Sequence, residues 1–186
     1  ATESLRHLYL ETGDDEGLAA TLTAIANLEN DPQLRSQLHF TVANLKKRQR
    51  KSEEAIGELK KALKISKDNI AALRRLEELY AITGDTSSQI ETIKAEIPLR
   101  KDKKTLVFLH QREGFLWESL GRSKEAISSF RSVLGHDSSN LEALTCLERL
   151  YKNQGMWGEL EQTLRTKAQV VSDPGLKVAI HAERAT

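Results

Sequence analysis

Three stretches of the chain read almost alike: "LYLETGD" from Leu8 to Asp14, "LYAITGD" from Leu79 to Asp85, and "LYKNQGM" from Leu150 to Met156. Their glycines, Gly13, Gly84 and Gly155, recur every 71 residues. Self-similarity at a fixed period marks a chain built from stacked units, each burying its apolar face against its neighbours. A shift by the same 71 residues brings Leu38-His39 onto Leu109-His110. It also brings Ser52, Glu54, Ala55 and Ile56 onto Ser123, Glu125, Ala126 and Ile127, and a further shift brings His110 onto His181.

Each period contains two shorter units, because Gly84 to Gly121 spans 37 residues and Gly121 to Gly155 spans 34. A unit of that size holds one helical hairpin. Apolar residues fall at helical spacing in a first helix, as in Leu73, Leu76, Leu79 and Tyr80, then a tight turn follows, then a second helix such as Ala55, Leu59, Ala62 and Leu63. Strand-like alternation does not persist anywhere. The expected fold is therefore all-α.

Composition narrows the function. A hydrophobic content of 39% over 186 residues supports a core without disulfides or metals. Basic and acidic residues nearly balance, 28 against 27, so the whole-chain field is too weak to make nucleic acid the main partner. Cys146 is the single cysteine, which excludes an internal disulfide and a multi-cysteine metal site and fits a reducing compartment. No apolar run approaches the roughly 18 to 20 residues a membrane span needs. The expected location is cytoplasmic, with a periplasmic or envelope-associated parent protein as the alternative.

The segment "REGFLWESLGRSKEAISSFRSVLGHDSSN", from Arg112 to Asn140, resembles a tetratricopeptide repeat. In that family the first helix carries a small residue, here Gly114, and an aromatic one turn later, here Trp117. Gly121 matches the inter-helix turn, Ala126 the small residue at the helix crossing, Phe130 the large apolar residue and Val133 the last small apolar one. Ala43, Ala55, Leu59 and Ala62 follow the same logic. The physical basis is packing distance, since axes about 8 Å apart require Gly or Ala at the crossing. A mid-helix glycine costs about 1 kcal/mol relative to alanine, so Gly114 is expected to have a packing reason.

The alternating units depart from the pattern, with Arg6, Glu77 and Glu148 in place of Ala43 and Gly114, and with Leu18, Gln89 and Leu160 in place of Ala55 and Ala126. These hairpins are expected to splay wider. Their longer exits, marked by Asp31-Pro32, Asp102 and Asp173-Pro174, are expected to hold another helical turn or a cap. The resemblance implies a single right-handed α-α superhelical solenoid over 1–186, with units 1–33, 34–67, 68–103, 104–138 and 139–174 and a partial sixth at 175–186. Both ends cut through a unit, which reads as a fragment of a larger bacterial protein of this family, open to self-association through uncapped ends.

A solenoid of this family is expected to bind another protein, as a peptide or a folded domain, in its concave groove. The register assigns to that face Phe40, Asn44 and Lys47, then Arg74, Arg75 and Glu78, then Phe108, Gln111, Arg112 and Phe115, then Thr145 and Arg149. Thr41, Ile82, Glu118, Glu142, Cys146 and Lys152 fall on the same face. The preponderance of Lys and Arg suggests an acidic, partly apolar ligand, with Phe108 and Phe115 as anchors and Arg112 on a carboxylate. The family's carboxylate clamp is not expected, because Phe40 and Phe108 stand where it needs lysines. A structural or oligomerisation module is the alternative, and a helical-repeat RNA binder a weaker one.

The remaining features read as structural. His39, His110 and His181 lie two hairpins apart, too far to share a metal, and are expected to be packing residues. "KKRQRK", from Lys46 to Lys51, resembles a nucleic-acid patch but sits where cations complement a helix C-terminus, and is expected to be solvated. Trp117 and Trp157 are expected to pack, and Cys146 to be a structural thiol. No glycine-rich phosphate loop, HExxH pair or nucleophile elbow occurs, so no catalysis, cofactor or metal is expected.

Overall fold

A computed structural model describes residues 13–173 together with Gly175, Lys177 and Val178. Arg6, His181, most of the first "LY" stretch and most of the partial sixth unit lie outside the described residues. Among those residues the secondary structure is entirely helical: α1 (Asp15–Leu28), α2 (Pro32–Arg48), α3 (Ser52–Ile65), α4 (Ile70–Thr83), α5 (Thr86–Glu96), a 3₁₀ turn (Ile97–Leu99), α6 (Lys103–Ser119), α7 (Ser123–His136), α8 (Leu141–Gln154) and α9 (Trp157–Val170).

Short polar residues start most of these helices. The side chains of Asp14, Asp31, Asn69, Asp85, Asp102 and Asn140 each accept a hydrogen bond from a backbone N–H of the first turn, satisfying a donor that has no intrahelical partner. Pro32 follows Asp31 at the first helical position, where its missing N–H costs nothing. The longer exit before Asp102 holds the 3₁₀ turn and the cap of α6. The helices α4, α6 and α8 are followed by left-handed glycines: Gly84, Gly121 and Gly155 have φ of 76°, 70° and 67°. At the place equivalent to Gly121 the chain uses Arg50, with φ 60°.

The chain divides into two compact units, Ala1–Leu99 and Arg100–Thr186. In the first, α2 packs on α1 and α3, and α4 on α3 and α5. Its core has two clusters, one around Leu18, Leu22, Val42 and Leu45 and one around Ala43, Ala55, Leu59, Leu76 and Tyr80. In the second unit α6 packs on α7, α7 on α8, and α8 on α9, around Ala126, Phe130, Val133, Leu147 and Tyr151.

The crossing residues show how the sequence sets packing. Phe130 is fully buried, and a Cβ built on Gly114 would lie 2.8 Å from its ring, far inside contact distance. The equivalent pair in the first unit is Ala43 and Leu59, both also fully buried. A smaller ring-side partner leaves room for a methyl, and a larger one removes it. The α2–α3 and α6–α7 hairpins are in more extensive contact than α4–α5 and α8–α9, whose equivalent positions carry Glu77 and Gln89, and Glu148 and Leu160.

Candidate functional site

The helical period gathers the face residues into stripes. Phe108, Gln111, Arg112 and Phe115 lie at i, i+3, i+4 and i+7 on α6, so they share one side of that helix. Thr145 and Arg149 lie one turn apart on α8. In the first unit Phe40, Asn44 and Lys47 form the matching stripe on α2, and Arg74, Arg75 and Glu78 sit on α4. The structure thus groups the expected residues into two faces, one in each unit.

The two faces differ in what they offer. Phe108 is 54% exposed and Phe115 40% exposed, whereas Phe40 is half-buried against the core of the first unit. Phe115 meets Phe130 edge-to-face at 5.2 Å between ring centroids, so the core orients its ring while one side stays in solvent. The Arg112 guanidinium lies 5.5 Å from the centre of the Phe108 ring, holding that ring as part of a cation–π pair.

The basic face expected from the sequence is largely compensated within the protein. Lys47 and Arg75 both donate to the Glu78 carboxylate, which the Lys47 ammonium holds below its usual pKa against a smaller opposing effect of burial. Arg74 pairs with the buried Glu96 at 3.2 Å. Arg149 makes two bonds to Glu118, at 2.8 and 2.9 Å, which raise the guanidinium pKa further. Gln111 donates to Glu142. Lys47–Glu78 in the first unit and Glu118–Arg149 in the second occupy equivalent positions with the charges exchanged. Each links successive first helices, and either polarity makes the same bridge.

The sequence matches no family model and no curated protein. Solved structures do match. A tetratricopeptide repeat protein from Parabacteroides merdae superposes with a TM-score of 0.56 at 20% identity, over 98% of this chain and 72% of that one. A MamA protein gives 0.54 at 15% identity, covering 91% and 89%. YrrB, described as a TPR protein with an unusual peptide-binding site, gives 0.53 at 17% identity, covering 90% and 85%. The fold is the tetratricopeptide-repeat fold.

Several side chains of these tetratricopeptide hairpins depart from expectation. Cys146, placed on the α8 face by register, is buried in the core of the second unit, and burial pushes its thiol pKa up. Trp157, expected to pack, is 65% exposed at the start of α9, while Trp117 is half-buried beneath Arg122. The 46–51 basic run is not simply solvated. Lys46 pairs with Glu54, Arg48 with Asp15 and Lys51 with Glu16, at 2.7 to 2.9 Å, tying the end of α2 to α1 and α3.

The histidines pack within their hairpins. His39 is buried with its Nδ1 2.7 Å from Glu58, and His110 stacks on His136 at 5.7 Å and contacts Glu113 at 3.3 Å. Burial works against ionisation of Glu58, yet Lys61 and His39 together keep its pKa below the usual carboxylate value. Among the described residues no three His, Cys, Asp or Glu side chains gather as metal ligands, and no helix is long and apolar enough to cross a membrane.

Proposed function

We propose that the chain is a non-catalytic protein-interaction scaffold, and that the α6–α8 face of its second unit binds an extended or helical segment of a partner protein. The observation that carries this reading is Phe108, a large ring more than half exposed beside a second partly exposed ring, Phe115. A large apolar side chain held in solvent by its neighbours is explained by a partner that covers it. YrrB, with its peptide-binding site, supports the reading by analogy of fold.

The partner's chemistry follows from what the face offers. Apolar contact with Phe108 and Phe115 supplies most of the affinity, because Arg149 is already paired and Gln111 already donates to Glu142. A carboxylate of the partner adds a charge-assisted bond at Arg112. Asn44, Lys47, Arg74, Arg75 and Glu78 form the corresponding polar face of the first unit, with Phe40 mostly given to its core.

Pull-down from the source organism's lysate tests this reading, comparing the wild-type chain with Phe108→Ala/Arg112→Glu. Both residues lie outside the buried core, so the variant is expected to melt with the wild type. The expected result is a protein recovered by the wild type and lost by the double variant. A partner retained equally by both would overturn the assignment.

A further inference from the structure

The opposite side of the hairpins carries a feature that repeats with the sequence. In the first unit a cleft of about 560 Å³ opens between α3 and α5, over α4. Leu63, Leu73, Leu76 and Tyr80 form its apolar floor, and Ser87, Ser88 and Thr92 one wall. In the second unit a cleft of about 230 Å³ lies between α7 and α9, over α8. Its Leu134, Leu144, Leu147 and Tyr151 are the same positions 71 residues later. Two independent copies of the hairpin pair open at one place, which makes the cleft a property of the repeat. The packing alternates along the chain: α3 lies against α2 over a larger contact, with Ala43, Ala55 and Leu59 fully buried, than α5 makes with α4, which accompanies the opening between the two second helices above α4.

The rims differ in charge. The first cleft has Lys60 and Lys67 on its rim, with Lys64 exposed on the same helix. Lys60 lies 5.7 Å above the Tyr80 ring, and none of these three lysines has a carboxylate partner within ion-pair distance among the described residues. Glu91, the acid lining that cleft, is already bonded to Lys94, and Asp85, which feels the Lys60 charge, is already engaged in capping α5. The second cleft is smaller, has Arg131 and Glu159 facing its tyrosine and adds Gln162 and Thr166. It compensates its own charge.

We propose that the cleft between α3 and α5 is a second binding site, whose occupant is an acidic amphipathic helix of a partner protein. Its apolar side chains enter over Tyr80 and Leu76, and its carboxylates bond Lys60 and Lys67. Charge complementarity selects this occupant: an apolar floor beneath ammonium groups that make no direct ion pair matches a helix with Leu or Phe on one face and Glu or Asp at its border. The site is separate from the Phe108 face and stands whether or not that face binds.

A fluorescein-labelled peptide of Leu, Glu and Ala, about four turns long with leucines at i, i+3, i+4 and i+7, is the probe. A copy with every Glu replaced by Lys is the control. Anisotropy titration and backbone-amide NMR on the whole chain are expected to show saturable binding of the acidic peptide alone, with shifts confined to α3, α4 and α5. Lys60→Glu/Lys67→Glu is expected to weaken binding about tenfold or more, while Arg131→Glu leaves it unchanged. Circular dichroism checks that each variant is folded. Absence of saturable binding, equal binding of the Lys peptide, or indifference to Lys60→Glu/Lys67→Glu would overturn the proposal. Loss of binding in Phe108→Ala/Arg112→Glu with shifts on α6 would also overturn it, and would instead support the Phe108 face.

Discussion

The first and second units are two solutions to one packing problem, written in the same chain 71 residues apart. Where the first has Ala43 against Leu59, the second has Gly114 against Phe130; where the first bridges its first helices with Lys47–Glu78, the second uses Glu118–Arg149. In each case both members changed and the interaction survived. The difference teaches which features the repeat requires, namely a filled crossing and a bridged face, and which it leaves open, namely the residue that achieves them. Surface positions show no such compensation. Phe108 stands where the first unit has Gln37, and Phe115 where it has Asn44. Phe115 also packs on Phe130, so under the proposed function it is the exposed part of the two rings that sets the second face apart.

The crossing gives the largest effects. Phe130→Ala removes a ring that fills the space of the missing Gly114 side chain, and is expected to destabilise the chain by about 3 to 5 kcal/mol in chemical denaturation. An unchanged midpoint would mean that Phe130 does not carry the crossing. Gly114→Ala is expected to cost about 1 to 3 kcal/mol, since overlap with Phe130 outweighs the gain in helix propensity. Combining it with Phe130→Leu rebuilds the pair of the first unit. That double variant is expected to be more stable than the sum of its parts predicts, and strict additivity would remove the claim that the residues compensate each other.

Two substitutions that carry a feature from one unit to the other are expected to stabilise. Arg50→Gly installs the glycine of the second unit at a left-handed position and is expected to raise stability by about 1 kcal/mol. Met156→Asp installs the cap that Asp85 provides to α5 and that α9 lacks, with a smaller net gain because Met156 also packs against the core of the second unit, read from thermal melting. The charge bridge gives the smallest effect. Lys47→Glu is expected to cost about 0.5 kcal/mol and adding Glu78→Arg to recover it, because exposed pairs contribute little. A double variant no better than the single would show that the exchanged polarity is incidental.

Much of the fold was legible in the sequence, because packing leaves periodic marks. The recurring glycines located Gly84, Gly121 and Gly155 at left-handed turns, and the small residues located the crossings. The extra residues of the longer exits were readable as a cap and a turn at Asp102. The face was legible only as a list of positions. A register assigns a residue to one side of a helix but cannot say that Lys47 and Arg75 share Glu78, or that Arg149 already holds Glu118, since those partners come from other helices. The same blindness turned a matched set of charges into a basic groove. Cys146 went the other way, one position from the exposed Thr145 yet inside the core, because the apolar sector of α8 is wide enough to include it. The clefts over Tyr80 and Tyr151 left no mark of their own, since they arise from how far apart two helices stand.

Binding at the second-unit face is tested most directly by replacing one residue in each unit with a photo-crosslinking phenylalanine analogue, at Phe108 and at its counterpart Gln37, and exposing both proteins to the source lysate under light. A discrete protein adduct is expected from position 108 and none from position 37. Equal adducts from both positions, or an adduct from position 37 alone, would contradict the claim that the exposed rings of the second unit form the binding face.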